Sequence, residues 1–111
     1  MAMTPEAKVK KVIKQMLDAH GAYHFSPFQA GMGRAGIPDI IACYKGKFIA
    51  IEAKAGKGTT TALQDREIKR IQATGGIAMV INEQNYADLE YVLRHLNGET
   101  PKNPNQLELD I

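Results

Sequence analysis

The chain has no tryptophan and a single cysteine, Cys43. One thiol excludes an intramolecular disulfide framework and any cysteine-rich zinc site. Long hydrophobic runs are missing as well. The longest, such as Ile77 to Ile81, fall far short of the about 20 residues that a bilayer crossing demands, so no membrane partner is expected. No apolar core follows a charged start, because Lys8, Lys10, Lys11 and Lys14 interrupt the first segment. A secretory signal is therefore not expected, and a cytoplasmic setting is. Neither sign of charge dominates. Lys and Arg number 14 against 12 Asp and Glu, a net charge of +2 that does not by itself announce a nucleic-acid partner. No internal repeat is visible. What is present is 111 residues, 44% of them hydrophobic, enough for one core in which roughly two-thirds of the unfolded surface is buried.

Thr4-Pro5-Glu6 reads as a helix start: a capping hydroxyl, a proline in the first turn and an acid near the helix N-terminus. Val9, Val12, Ile13, Met16 and Leu17 recur at helical spacing, and Gly21 ends the run. Ala22 to Gln29 carries Tyr23, Phe25 and Phe28 and reads as a strand that Pro27 pushes towards a sheet edge. After the Gly31 to Gly36 loop come two β-rich runs, Asp39 to Tyr44 and Lys47 to Lys54, joined by Lys45-Gly46 as a hairpin. Thr61 to Thr74 is a second helix, Ile77 to Ile81 a short apolar strand of the kind found mid-sheet, and Asn85 to Leu96 a third helix. The order is that of one α/β layer domain over residues 1–97, with 98–111 as a polar tail.

The hairpin carries the chemistry. With a two-residue turn at Lys45-Gly46, opposed residues have numbers that sum to a constant, and Asp39 falls opposite Glu52. Opposed carboxylates repel, and a hard divalent cation removes the repulsion by bridging them. Lys54, two residues on and on the same face, can act on a bound water or on charge developing at a phosphate. The bland alternative is a solvated face with an ordinary ion pair. Ile41, Cys43, Phe48 and Ala50 share the face and are apolar, which predicts a buried face with charges at one end, and buried acids need partners.

Gly36-Ile37-Pro38-Asp39, the hairpin, Glu52-Ala53-Lys54 and the downstream Gln64 closely resemble the PD-(D/E)XK nucleases, and more narrowly the VRR-NUC group. The resemblance runs from the first helix through the Ile77 strand. It implies a restriction-endonuclease-like αβββαβ core with a C-terminal helix and tail. It also implies a Mg²⁺- or Mn²⁺-dependent endonuclease that hydrolyses DNA phosphodiester bonds, with branched DNA of the Holliday-junction type as substrate. On this resemblance Asp39, Glu52 and the Ala53 backbone carbonyl hold the metal, joined by Glu6, while Lys54 is the catalytic lysine and Gln64 orients the site. Glu6 and Gln64 also have local explanations, as a first-turn acid and as part of the Thr61-x-x-Gln64 capping box. Flap or duplex-end cleavage is the alternative within the class, and a non-catalytic DNA-binding module is the alternative outside it.

Gly31-Met32-Gly33-Arg34-Ala35-Gly36 matches a dinucleotide fingerprint only by accident, since Pro38 and a β-branched run follow where a helix is needed. Arg34 and Lys57, on glycine-containing loops, and Lys8, Lys11 and Lys14, on the first helix, are candidate phosphate contacts. A four-way junction needs two nicks related by two-fold symmetry while the chain offers one site, which points to a homodimer. Its candidate surfaces are Tyr23 to Phe28 and the tail. Gln106-Leu107-Glu108-Leu109 is similar to the peptides that dock on sliding clamps, but lacks their aromatic end.

Overall fold

The computed structural model describes residues 2–28 and 35–105. The Thr4 hydroxyl accepts from the Ala7 N–H at 3.1 Å to open α1 (Pro5–His20), and Gly21 closes it in the left-handed conformation at φ 77°. The chain continues through β1 (Tyr23–Phe25), β2 (Ile40–Tyr44), β3 (Lys47–Ala53), α2 (Ala62–Ala73), β4 (Ile77–Ile81) and α3 (Tyr86–Leu96). The four strands lie in the order β1-β2-β3-β4, antiparallel except for the parallel β3–β4 pair that α2 connects.

Lys45 and Gly46 both take positive φ, 52° and 77°, the twist of a two-residue hairpin turn. That turn fixes the register at Ile40 opposite Ile51 and Tyr44 opposite Lys47, and continuing it by one residue sets Asp39 against Glu52, as the numbering predicted.

The expected core face is corrected. Ile40, Ala42, Tyr44, Ile49, Ile51 and Ala53 are the buried set, packed under Val9, Ile13 and Leu17 of α1 and Leu89 and Leu93 of α3. Each large aliphatic side chain fully buried here contributes about 1.5–3 kcal/mol. The opposite face, which carries Asp39, Ile41, Cys43, Phe48, Ala50 and Glu52, is covered only in part, by α2. Cys43 is exposed and Phe48 is 46% exposed, whereas Ala50 and Glu52 are buried. Two helices on one face and one on the other leave the second face open towards β1. The apolar β4 is not mid-sheet either. It is the edge strand beyond β3, and its residues are shielded by α2 and α3 rather than by a further strand.

Residues beyond α3 do not trail away at once. Pro101 and Pro104 lie along α3 beside Tyr91, and the Asn105 amide donates to Asp88 at 3.0 Å. The tail residues 106–111 and the loop residues 29–34 lie outside the described residues.

Candidate active site

The C-terminal end of β3 is where the named residues meet. Ala53 N–H donates to Asp39 Oδ2 at 2.9 Å, so the backbone of one strand orients the acid that enters the other. Asp39 reaches this place because Gly36 passes α2 at backbone distance: a Cβ built at Gly36 would stand 2.5 Å from the Leu63 carbonyl oxygen, and its φ is 84°. Only glycine meets both conditions. That gives a physical reason for the glycine three residues before the aspartate.

Glu52 is 3% exposed. Its Oε2 accepts from Gln64 Nε2 at 2.8 Å and stands 3.4 Å from Lys54 Nζ, while its Oε1 is buried with no hydrogen-bond partner. Burial raises its pKa from 4.5 to about 7, with the Asp39 charge adding to the rise and Lys54 opposing it. A buried carboxylate with one orphaned oxygen, beside a second carboxylate, is an oxygen donor set of the kind hard divalent cations take.

Gln64 serves both readings offered for it. Its Oε1 accepts from the Thr61 N–H at 2.9 Å and closes the capping box of α2, which leaves its amide NH₂ to face Glu52. Glu6 stands at the rim, with the Lys10 ammonium between it and Asp39. Among the described residues no group of three or more His, Cys, Asp or Glu is gathered closely enough to hold a metal. Glu6 instead meets Asp39 through Lys10, whose ammonium is 3.9 Å from Glu6 Oε2 and 3.5 Å from Asp39 Oδ1. Lys10 is the residue beside Asp39 that sequence reasoning passed over. One signal was there: it stands four residues after Glu6, where an acid and a lysine on a helix pair.

Lys10, Lys11 and Lys14 share a shallow groove along α1 with Met3, Ala7, Gln15 and Asp18, and the exposed Lys8 is not part of that lining. Lys57 is exposed on the loop after β3, which is tied down where Gly56 N–H donates to Glu83 at 2.9 Å. Arg34 lies outside the described residues.

The family model of archaeal Holliday junction resolvase (Hjc) matches residues 7–93, a span that contains Asp39, Glu52, Lys54 and Gln64 and leaves out Glu6. A solved structure described as a VRR_NUC domain protein superposes with a TM-score of 0.60 over 96% of this chain and 100% of that one. At 20% identity that likeness shows the fold alone. No curated protein matches the chain. With the family match covering the hairpin, both acids, the lysine and the glutamine, the chain belongs to the archaeal Holliday junction resolvase family of PD-(D/E)XK nucleases.

Proposed function

We propose that the protein is a divalent-metal-dependent endonuclease that nicks branched DNA, with four-way junctions as its substrate. The observation that carries this is Glu52: a buried acid with one oxygen unpartnered, set against Asp39 and Lys54 at the rim of the sheet. A binding module has no use for so costly an arrangement. Asp39, Glu52 and the Ala53 carbonyl would hold Mg²⁺ or Mn²⁺, with Glu6 adding negative charge at the rim. The ion would polarise the scissile phosphate and lower the pKa of a bound water. Asp39 is held in place by the Ala53 N–H, and Gln64 presents a donor that keeps Glu52 turned towards the site. Lys54, only 14% exposed, places a positive charge where the attacked phosphate gains negative charge. Lys11, Lys14 and Lys57 supply phosphate contacts that position the strand without reading its sequence.

The active species is a homodimer. Tyr23 and Phe25 of β1 stand opposite Cys43 and Ile41, so they extend the open sheet face on which the site lies, and they are 70% and 47% exposed. A contiguous apolar strip of this kind marks an interface, and a two-fold pair of chains matches the symmetry of a junction.

A panel of labelled junction, flap, duplex and single-stranded DNA, incubated with Mg²⁺, Mn²⁺ or chelator, tests the assignment. Metal-dependent, paired nicks in the junction are the expected outcome. Cleavage that continues unchanged in excess chelator would overturn the metal reading, and preference for flaps would move the substrate assignment.

A further inference from the structure

We propose that Lys10 is a resident counter-ion that holds Asp39 in the DNA-free enzyme and releases it when a divalent ion binds, then serves as the first phosphate contact of the strand being cut. The inference rests on the reading of Asp39 and Glu52 as metal ligands, and it concerns a residue that the nuclease motif does not contain.

Three observations converge on it. First, Asp39 offers two oxygens, and Oδ2 is already committed to the Ala53 N–H at 2.9 Å. The oxygen left for a ligand is Oδ1, and that is the one the Lys10 ammonium faces, at 3.5 Å. Second, the contact is loose. It is longer than a good hydrogen bond, the Lys10 side chain is 35% exposed, and its second acid, Glu6, is 3.9 Å away. Asp39 is 17% exposed, so the pair is partly buried, but at 3.5 Å it lacks a close hydrogen bond and Lys10 can let go at small cost to the fold.

Third, Lys10 has somewhere to go. It lines the groove that Lys11 and Lys14 share along α1, a row of ammonium groups that leads from the site along the helix. Charge then decides the order of events. Glu6, Asp39 and Glu52 stand against Lys10 and Lys54, three acids to two cations. With Lys10 turned away the balance is three to one, a site far more attractive to a dication. Once a dication is present the ammonium is repelled from Asp39 and attracted to the phosphate that the ion recruits. Ion and DNA therefore favour the same position of Lys10, and each makes room for the other.

The inference demands effects of opposite sign from one substitution. Lys10→Met keeps the aliphatic stem and removes the charge, while Lys10→Arg keeps the charge. Mn²⁺ binding to the DNA-free protein is followed by the electron paramagnetic resonance of the free ion, with Asp39→Asn as the control for the site. Junction binding is followed in Ca²⁺ over a range of salt, in a Lys54→Ala background that leaves the DNA uncut. Lys10→Met should bind Mn²⁺ several-fold more tightly, because the ion no longer has to displace an ammonium from Asp39 Oδ1. The same variant should bind the junction more weakly in Ca²⁺, with the log–log salt slope smaller by about 0.9. In chelator, where Lys10 stays on Asp39, the slope should barely change. Lys10→Arg should behave as wild type in both assays. A merely structural role moves neither reading selectively, and a plain phosphate contact moves only the DNA slope. If wild type binds Mn²⁺ and Lys10→Met binds it no more tightly, the counter-ion role is overturned and the metal reading stands. If wild type and Asp39→Asn bind Mn²⁺ alike, both readings fall together.

Discussion

Replacing Glu52 by glutamine takes one charge out of the site and changes almost nothing in its shape. The new carbonyl oxygen still accepts from Gln64, and the new amide can donate to Asp39. In the native protein the Glu52 carboxyl titrates at about 7 instead of 4.5, first through burial and then through the neighbouring Asp39 charge. A carboxyl raised in this way holds its proton more tightly folded than unfolded. Its burial is harmless below about pH 4.5, and stability is lost as the pH climbs from there to about 7, where the folded protein must also ionise. The interval from 4.5 to about 7, at about 1.36 kcal/mol per pH unit, amounts to roughly 3 kcal/mol. Urea unfolding in chelator from about pH 4.5 to about pH 8 measures it. Glu52→Gln should gain on wild type steadily through this window and lead by up to about 3 kcal/mol at its top, on the order of 10 °C in melting temperature. The opposing pull of Lys54 is already contained in the value of about 7, so the slope rather than the level is diagnostic. Saturating Mg²⁺ should shrink the lead, because only wild type gains from binding the ion. Stability curves that run parallel from acid to neutral pH would refute the account of Glu52 as a buried acid held near neutrality.

Three further outcomes are expected. Asp39→Asn should abolish cleavage and leave unfolding stability no lower than wild type, and Mg²⁺ should raise the melting temperature of wild type alone; equal shifts would place the ion elsewhere. Gly36→Ala should destabilise by more than about 2 kcal/mol in chemical denaturation, since its Cβ meets the Leu63 carbonyl and its φ is 84°; a loss below about 0.5 kcal/mol would contradict the close approach. Tyr23→Glu with Phe25→Glu should convert a dimer into a monomer by light scattering and uncouple the paired nicks on a junction, whereas a double variant that remains dimeric would remove this sheet face from the interface.

The register of the hairpin was legible because a short-range device sets it. Lys45-Gly46 admits few turns, and once the turn is known the pairing of Asp39 with Glu52 follows by counting. Helix ends were legible for the same reason, Thr4 and Gly21 acting on their own neighbours. Which sheet face is the core was not legible. Ile40, Ala42 and Tyr44 are apolar, and so are the alternating Ile41 and Cys43, so period-two patterning carries no information on this strand. The choice is made by α1 and α3, which are distant in sequence. The place of β4 escaped for the same reason, since a strand shielded by helices on its faces reads alike at the edge and in the middle. Lys10 was one lysine among four on a helix; its spacing from Glu6 was its one local mark, and its contact with Asp39 comes from another part of the chain. The two acids, the lysine and the glutamine stood out because Asp39, Glu52 and Lys54 fall within a span of sixteen residues and Gln64 lies in the first turn of the following helix.

Gln64 ties two events together that most proteins keep apart. Its side chain closes the first turn of α2 and, with the same amide, holds Glu52. Fraying of that turn, the least protected part of any helix, therefore also releases Glu52 from the Gln64 amide. Backbone amide exchange at Thr61 and Gln64 thus becomes a clock for how often Glu52 loses this contact, readable in the absence of any ligand.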